Sequence, residues 1–532
     1  MSILLFNGKI ASLDAQDRYY ESIGIVGNRI DFLGRSEEAL KDRYETVIDL
    51  KGHLVLPGFN DSHMHLLGYA YAKKQIDLCK YGSIDEVIQD VKRTIRSQNI
   101  EEGRWVLGSG WNQESLAEKR FFTREDLDAI SDRHPIMFVR TCGHMAVCNT
   151  KAIDMMDADV QTHRNVELAR GIFKEDAMQY PRRYIDSPGL DEIKDMIVQT
   201  SAELTQHGVT SVQSDDFHSF PDVDYLKILN AYEELDREGR LTVRVYEQCS
   251  LDRDGLAQLI GMGYRTGTGS DFFKVGPLKL FQDGGLGART ALLSEPYADD
   301  PSNCGVAMYP QDELDAFIEY AHKNGMQIAV HAIGDRAIEM VLASFENARQ
   351  RHRRDNARHG IVHGHILTED IMRKLSRQNV MVYVQPIFFN NDLKMLHHRV
   401  GDRAFKSYLI KALQEQGVHV SGGSDAPVEY FNPYHNIHSA VLRQDLQGQP
   451  PEGFIPEDRL SRSEALRLFT IDSAFASFEE SKKGTLEVGK LADLIVTERD
   501  ILTVPDDEIK DIRTVMTVVD GQIVWRREGS GI

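Results

Sequence analysis

The chain has 532 residues, of which 41% are hydrophobic, 27% charged and 8% aromatic, and its formal net charge at neutral pH is −20. These proportions are typical of globular proteins and exclude disordered, collagen-like and coiled-coil chains. The acidic balance argues against nucleic acid and anionic membranes as partners, because both require a basic face on the protein.

The cysteine pattern and the hydropathy indicate the cellular compartment in which the protein is expected to reside. The five cysteines are scattered and form no CxxC pair, which favours a reducing environment over a disulfide framework; they are Cys79, Cys142, Cys148, Cys249 and Cys304. The N-terminal segment MSILLFNGKIASLD has no basic region and only a short apolar run, so it does not read as a signal peptide. No run of about 18 apolar residues occurs. We therefore expect a cytoplasmic protein that does not associate with membranes.

Both ends of the chain have the pattern of β-structure. ILLFNGKIASLD and SIGIVGNRIDFLG each predict two strands around a turn, and TVMTVVDGQIVW near the C-terminus predicts another hairpin at Asp520–Gly521. Such hairpins occur at both termini and not between them. We therefore expect one small β-sandwich, built from residues 1–52 and 476–532.

The middle of the chain, residues 53–475, alternates short apolar runs with amphipathic helical stretches. Eight runs can be counted, and repeated βα units predict a parallel sheet, here a (β/α)8 barrel. The runs are HLVLPGF, VTSVQS, VRVYEQ, FFKVGPLKLF, QIAVHAIG, GIVHGHI, VMVYVQPI and VHVSGGSD. The first two runs are too far apart for a simple crossover. Residues of about 70–185 are therefore predicted to form an inserted subdomain that shapes the pocket entrance.

A candidate metal site follows from polar residues at the ends of the predicted strands. His63 and His65 have the i, i+2 spacing that places two side chains on one face of a strand. Roughly 0.7 such pairs are expected by chance in this composition, so the pair alone means little. However, His331, His363 and Asp425 each end a separate apolar run. The carboxyl ends of barrel strands converge on one mouth, and imidazole and carboxylate groups suit zinc.

Lys279, in PLKLFQDGG, is unusual because the fourth run otherwise reads as a buried strand. One interpretation is a snorkelling or salt-bridged lysine. The other is that it belongs to the site at the barrel mouth.

Several segments resemble, in order, the amidohydrolase superfamily of metal-dependent hydrolases. The resemblance is closest to its family 3 branch, which contains N-substituted formamide deformylases. The segments are PGFNDSHMH, KLFQDGGLGART, VHAIGDRAI, VHGH, VQP and GGSDAPV, and GTLEVGKLADLIV resembles the closing segment of the family's β-sandwich. The similarity extends from about residue 50 to 500.

The resemblance implies a ligand set. His63, His65 and Asp425 would bind a first zinc or other divalent ion. A second ion, where present, would use His331 and His363, and Lys279 would bridge the two ions after carboxylation by CO₂. With one ion, His331 would become a ligand and His363 would contact substrate.

This chain departs from the branch at two places. Val362 stands where the branch often has glutamate, and VQSDD stands where it often has a His-Asp pair. Both departures bear on substrate preference more than on metal binding.

Further residues are candidates for contact with substrate. Arg289, in the glycine-rich loop QDGGLGART, could hold a carboxylate or orient a carbonyl, or could form a salt bridge to Asp283 or Glu295. The other candidates are His144 and Glu175 in the inserted region, Trp111 as a pocket wall or core residue, and Gln385 after the seventh strand.

The expected reaction is hydrolysis of a non-peptide C–N bond, an amide or an N-formyl or N-acyl group, in a small-molecule substrate. Asp425 would act as general base and then as general acid. Alternatives are a cyclic amidase or a nucleobase-type deaminase of the same superfamily, although HAIGDR lacks the glutamate typical of deaminases. An alternative of another class is a non-catalytic regulatory paralogue. The chain is also expected to pair as a homodimer.

Overall fold

A computed structural model describes residues 2–39, 41–113, 115–140, 145–185, 187–220 and 223–532, without the side chains of residues 175 and 176. The chain divides into two compact units. The first comprises Met1–Leu66, Lys194–His218 and Ile228–Ile532, and the second comprises Leu67–Ile193 and Ser219–Lys227. The second unit covers the region in which the sequence predicts an insertion.

The centre of the first unit is an eight-stranded, nearly closed parallel barrel, which confirms the predicted fold. Its strands pair with one another in chain order. They are β1 (Phe59–Met64), β2 (Val209–Ser214), β3 (Arg244–Ser250), β4 (Phe273–Phe281), β5 (Ile328–Ala332), β6 (Gly360–His363), β7 (Met381–Val384) and β8 (Val420–Gly422). The carboxyl ends of all eight strands therefore lie at one end of the barrel.

Helices alternate with these strands because apolar residues recur at helical spacing between them. The helix Glu369–Arg377 is an example: the Thr368 hydroxyl accepts a hydrogen bond from the backbone N–H of Ile371, and Ile371, Met372 and Leu375 are buried. The other helices of this part of the chain are Leu190–Gln206, Tyr225–Arg237, Arg253–Gly261, Gln311–Lys323, Asp335–Arg351, Phe389–Asp392, Leu396–Val400, Ile410–Glu415, Pro433–Leu442, Arg462–Leu468 and Ile471–Ala476.

The first barrel strand begins later than the sequence predicts. The run HLVLPGF forms Leu54–Pro57, which belongs to a different sheet, and the barrel strand is Phe59–Met64. Gly58 separates them, and a Cβ atom at this residue would lie 2.3 Å from side-chain atoms of Thr210. The change of sheet thus requires a glycine, and the barrel strand itself carries His63.

Two further sheets of the first unit come from the chain termini and share one hydrophobic core. The four-stranded sheet contains Ser2–Phe6, Ser22–Val26, Arg29–Gly34 and Thr46–Asp49. The six-stranded sheet contains Lys9–Ala11, Tyr19–Tyr20, Leu54–Pro57, Leu494–Thr497, Thr514–Val519 and Gln522–Arg526. Because strands from both ends of the chain form the second sheet, the termini build one sandwich.

One predicted hairpin is wrong. Ser2–Phe6 does not pair with Lys9–Ala11 across the Asn7–Gly8 turn; it pairs with Ser22–Val26 and Thr46–Asp49 instead. The turn carries the chain from one sheet to the other, so that each strand buries its apolar face in the shared core. The hairpins around Gly27–Asn28 and Asp520–Gly521 are formed as predicted.

The second unit is built on its own six-stranded sheet. In spatial order its strands are Val166–Glu167, Ile172–Lys174, Met145–Cys148, Ile136–Arg140, Val106–Trp111 and Ile76–Asp77. The helices in this part of the chain are Leu66–Lys73, Ile84–Ser97, Arg124–Asp128, Thr150–Ile153 and Gln179–Arg182. Trp111, Phe122 and Phe138 are fully buried in its core.

Short 3-10 helices complete the secondary structure of the described residues. They are Lys41–Arg43, Ala158–Thr162, Leu168–Arg170, Glu175–Met178, Pro386–Phe388, Gly401–Lys406, Pro456–Asp458 and Asp506–Asp511. Within the described ranges, none of the helices combines the length and apolar character needed to cross a bilayer.

Candidate metal centre

Three predicted ligands meet at the carboxyl end of the barrel. His63 lies in β1, His65 directly follows this strand, and Asp425 follows β8. The Asp425 Oδ1 atom is 3.3 Å from His63 Nε2 and 3.1 Å from His65 Nε2. One potential ligand atom from each residue lies within 4.8 Å of the other two. Two imidazoles and a carboxylate at this separation form a set that suits a divalent ion.

The hydrogen bonds behind the two histidines determine which ring nitrogen faces inward. His63 Nδ1 is 2.8 Å from Gln248 Oε1, and the Gln248 amide nitrogen donates to the Ser62 carbonyl. His65 Nδ1 is 3.0 Å from the Asp215 carbonyl oxygen. Both partners are acceptors, so each Nδ1 carries a proton; each Nε2 faces Asp425, to which it donates a hydrogen bond when the ring is protonated, and it offers a lone pair to a metal ion when the ring is neutral. The residues therefore fit a metal ion bound through the two Nε2 atoms and the Asp425 carboxylate.

Backbone contacts hold the ends of β1 and β8 together. The Asp425 N–H donates to the His63 carbonyl at 2.8 Å. The buried Asp61 carboxylate accepts hydrogen bonds from the backbone N–H groups of His63 and Ser424. Asp425 itself has φ of 58°, a left-handed conformation that is unfavourable for a residue with a side chain. Such backbone strain occurs preferentially at functional sites.

His363 and His331 lie on the other side of Asp425. His363 ends β6, and its Nε2 atom is 4.0 Å from Asp425 Oδ2. The ring centroids of His331 and His363 are 4.5 Å apart. His363 Nδ1 is 2.8 Å from Gln385 Oε1, and the Gln385 amide nitrogen donates to the Tyr383 carbonyl. His363 therefore has the same tautomer as His63, imposed in the same way by a glutamine.

Lys279 is fully buried within the barrel. Its Nζ atom lies 3.5 Å from Asp215 Oδ2 and 3.8 Å from the centroid of the Phe281 ring. Burial lowers the pKa of the Lys279 amine, although the Asp215 and Asp425 carboxylates oppose this effect. The contact with Asp215 matches the salt-bridge interpretation, and carboxylation of the lysine stays a prediction.

The pKa shifts at the site show that the Asp425 and Asp215 carboxylates favour a positive charge beside them. Burial alone would raise the pKa of the Asp425 carboxyl, but hydrogen bonds from His63 and His65 hold it well below its usual value. Burial alone would lower the pKa of His65, but the Asp425 hydrogen bond and the Asp215 charge raise it to about 9. A divalent cation bound here would balance the negative charge of these carboxylates, as the proton on His65 does in its absence.

Two predicted substrate-binding residues have identified partners in the first unit. The Arg289 guanidinium forms a two-pronged ion pair with Asp299, at 3.1 and 2.9 Å, and not with Asp283 or Glu295. The Asp283 carboxylate instead accepts three backbone N–H groups. Gln385 is buried and engages His363 through its amide oxygen. This contact fixes the orientation of the His363 ring, and a contact of Gln385 with substrate stays a prediction.

The remaining predicted substrate-binding residues belong to the second unit. Trp111 is fully buried in the core of this unit, where its indole N–H donates to the Phe138 carbonyl. This packing gives Trp111 a structural role. His144 and the side chain of Glu175 lie outside the described residues, so their substrate contacts stay predictions.

Sequence reasoning missed Gln248 and His365. Gln248 ends the apolar run VYEQ in β3, and a polar side chain at this position could have indicated a residue of the site. His365 repeats the His-x-His spacing after β6 and is buried, its ring 4.3 Å from that of Tyr408 between centroids. Neither of its ring nitrogens has a hydrogen-bond partner among the described residues.

Comparisons with known proteins place the chain among the amidohydrolases. An amidohydrolase family model matches residues 46–525. The putative amidohydrolase YtcJ of Bacillus subtilis is 31% identical over 518 residues, which cover 92% of this chain and 93% of that protein. An N-substituted formamide deformylase of Arthrobacter pascens is 23% identical over 546 residues, covering 99% of each chain. The crystal structure of an uncharacterised metal-dependent hydrolase from Pyrococcus furiosus superposes with a TM-score of 0.79 at 32% identity, covering 94% of this chain and 100% of that one.

Proposed function

The chain belongs to the amidohydrolase family, and from this we propose that it hydrolyses a non-peptide C–N bond in a small molecule, an N-formyl or N-acyl amine. The class of enzyme, a metal-dependent hydrolase, follows from the family and from the structural relatives. The observation that carries the finer proposal is the set of His63, His65 and Asp425, in which both histidines have their Nε2 atoms directed at one carboxylate. The full-length similarity to a formamide deformylase favours the linear amide over other substrates.

In this proposal His63, His65 and Asp425 hold a zinc or similar divalent ion, with His331 and His363 as ligands of a second ion if one binds. A bound ion of this kind supplies Lewis acidity, which lowers the pKa of water and polarises a carbonyl. The residues of the chain supply positioning and proton transfer. Gln248 and the Asp215 carbonyl orient the two histidines, and burial excludes bulk water from the Asp425 carboxylate.

Asp425 is the proposed proton carrier. Its carboxylate accepts a proton from the attacking water as the new C–O bond forms at the carbonyl carbon. It then donates this proton to the amine nitrogen as the C–N bond breaks, so that a carboxylic acid and an amine leave. Hydrogen bonds from His63 and His65 hold the pKa of the Asp425 carboxyl well below its usual value, so the carboxylate is ionised at neutral pH.

The test combines metal content and turnover. Protein purified without added metal is analysed for metals and assayed for release of formate or other acids from a panel of N-formyl and N-acyl amines. We expect about one or two equivalents of zinc or a similar metal, with turnover of at least one amide. His63→Ala should lose metal and activity, and Asp425→Asn should lose activity.

A matched control is His398→Ala, because His398 is an exposed histidine on the helix Leu396–Val400. This variant should keep both metal and activity. Protein that binds no metal even when metal is added would contradict the proposal. So would metal-loaded protein that hydrolyses none of the amides, or amide hydrolysis that survives in His63→Ala.

A further inference from the structure

A cavity lies at the opposite end of the barrel from the candidate metal centre. Its volume is about 410 Å³, within the range of small-molecule sites. His359 directly precedes β6, Met381 begins β7 and His419 directly precedes β8, and all three line the cavity. The cavity is therefore formed by the amino ends of these strands. The chemistry proposed at the barrel mouth does not involve any of these residues.

The walls of this cavity are rich in arginine. Together with an adjoining cavity that shares part of its lining, it is lined by Arg349, Arg353, Arg354, Arg358 and Arg377. This concentration of positive charge occurs in a chain whose net charge is −20. Such a patch is not expected from the average composition and creates a local positive potential.

Three of the five arginines are neutralised by carboxylates. Arg353 pairs with Asp355, Arg358 with Glu480 and Arg377 with Glu346, at 3.5, 2.7 and 3.5 Å. These pairs account for the acidic residues of the lining, which are Asp355 and Glu346.

Arg349 and Arg354 are different. Within the described part of the chain, neither has a carboxylate at ion-pair distance, and both are partly buried. Arg354 donates to the carbonyls of His322 and Met326, each at 2.8 Å, and Arg349 donates to the Gln378 carbonyl. Carbonyl groups satisfy some of the N–H donors but do not cancel the positive charge. The cavity thus contains two partly desolvated cations without an ion-pair partner among the described residues; Glu346, which pairs with Arg377, attracts Arg349 only from beyond ion-pair distance.

We propose that this cavity binds a small organic oxyanion, a phosphate or carboxylate group, against Arg349 and Arg354. The planar guanidinium groups match such anions because they offer paired N–H donors. The stack of Arg358, Phe475 and His419, with separations of 3.7 and 3.9 Å, forms one wall and offers a flat surface for the rest of the ligand. The site is independent of the hydrolase chemistry at the other end of the barrel.

Isothermal titration calorimetry of the full-length protein tests this proposal, with inorganic phosphate, AMP and citrate as separate probes. We expect at least one probe to bind with a Kd below about 1 mM. Comparing the affinities for AMP and citrate distinguishes a phosphate from a carboxylate ligand. Comparing the affinities for AMP and inorganic phosphate shows whether the stack of Arg358, Phe475 and His419 adds to binding.

The decisive variant is Arg349→Gln, which should weaken binding about tenfold or more, because a charge-assisted contact is lost. Arg349 makes one backbone hydrogen bond, so this substitution disturbs the fold less than Arg354→Gln, which removes several. Arg353→Gln is the matched control, since Arg353 is exposed and already paired with Asp355, and it should bind like the wild type. Circular dichroism confirms that each variant is folded.

Two results would overturn the proposal. One is that none of the three probes binds in the millimolar range. The other is that a probe binds equally well to the wild type and to folded Arg349→Gln protein, which would place the anion elsewhere, for example at the metal centre.

Discussion

The hydrogen bond between Gln248 and His63 allows a quantitative prediction of how metal affinity changes when it is removed. Gln248→Leu removes the acceptor of the His63 Nδ1 proton while keeping a side chain of similar size. The proton then either stays on a buried nitrogen without a partner, at a cost of about 1–3 kcal/mol, or moves to Nε2 and blocks the atom that faces Asp425. We expect metal affinity to fall about 10- to 100-fold, as is typical when such orienting partners are lost, which corresponds to about 1.4–2.8 kcal/mol.

Competition with a fluorescent zinc chelator at constant pH measures this affinity on metal-free protein. Gln213→Leu is the matched control, because Gln213 is also a buried barrel glutamine but donates to the Ser473 carbonyl. An affinity in Gln248→Leu within about threefold of the wild type would refute the orienting role. An equal loss in both variants would show a general effect of altering a buried glutamine.

Three further predictions concern other buried groups. Lys279→Met should lower the metal content from about two equivalents to about one if the lysine bridges two ions; elemental analysis that finds two equivalents in both proteins would rule out the bridge. Asp283→Asn should lower the free energy of unfolding by about 1–3 kcal/mol, because one of the oxygens that accept three backbone N–H groups becomes a donor; an unchanged urea midpoint would contradict this. His359 Nδ1 accepts the Ile328 N–H, so its Nε2–H donates to His322 Nδ1 at 2.7 Å, and burial lowers the pKa of both histidines. The unfolded chain then binds more protons below about pH 6.5, so stability should fall by up to about 1.4 kcal/mol per histidine between pH 6.5 and 5.5. This pH dependence of urea unfolding should be smaller in His322→Gln, and an identical dependence would show that the pair is not responsible.

The convergence of the candidate ligands could be predicted because these residues have a strong local signal. His63, His331, His363 and Asp425 each follow or end an apolar run, and strands of a parallel barrel bring such positions to one end. The barrel was predictable for the same reason, since seven of its eight strands read as apolar runs between amphipathic helices; the first, Phe59–Met64, is largely polar, and the apolar run before it belongs to another sheet.

The partners of these ligands could not be predicted in the same way. Gln248 and Gln385 reach His63 and His363 only because neighbouring strands pair in a particular register. A single glutamine near a strand end has no distinctive spacing. The error at Asn7–Gly8 has a related cause, because the turn sequence favours a hairpin locally while the packing of two sheets decides which strands pair.

Asp425 connects the two halves of the site, and its geometry bears on how many ions the site holds. Its Oδ1 atom contacts His63 and His65, whereas Oδ2 faces His363. Oδ1 could therefore bind one ion together with His63 and His65, while Oδ2 remains free on the side of His331 and His363. A mononuclear site needs only this arrangement, since Lys279 is then balanced by Asp215. In the dinuclear site that the family resemblance implies, Lys279 would exchange its positive charge for an anionic carbamate, which would break the ion pair with Asp215. The metal content of Lys279→Met distinguishes these two sites because only the second depends on the lysine.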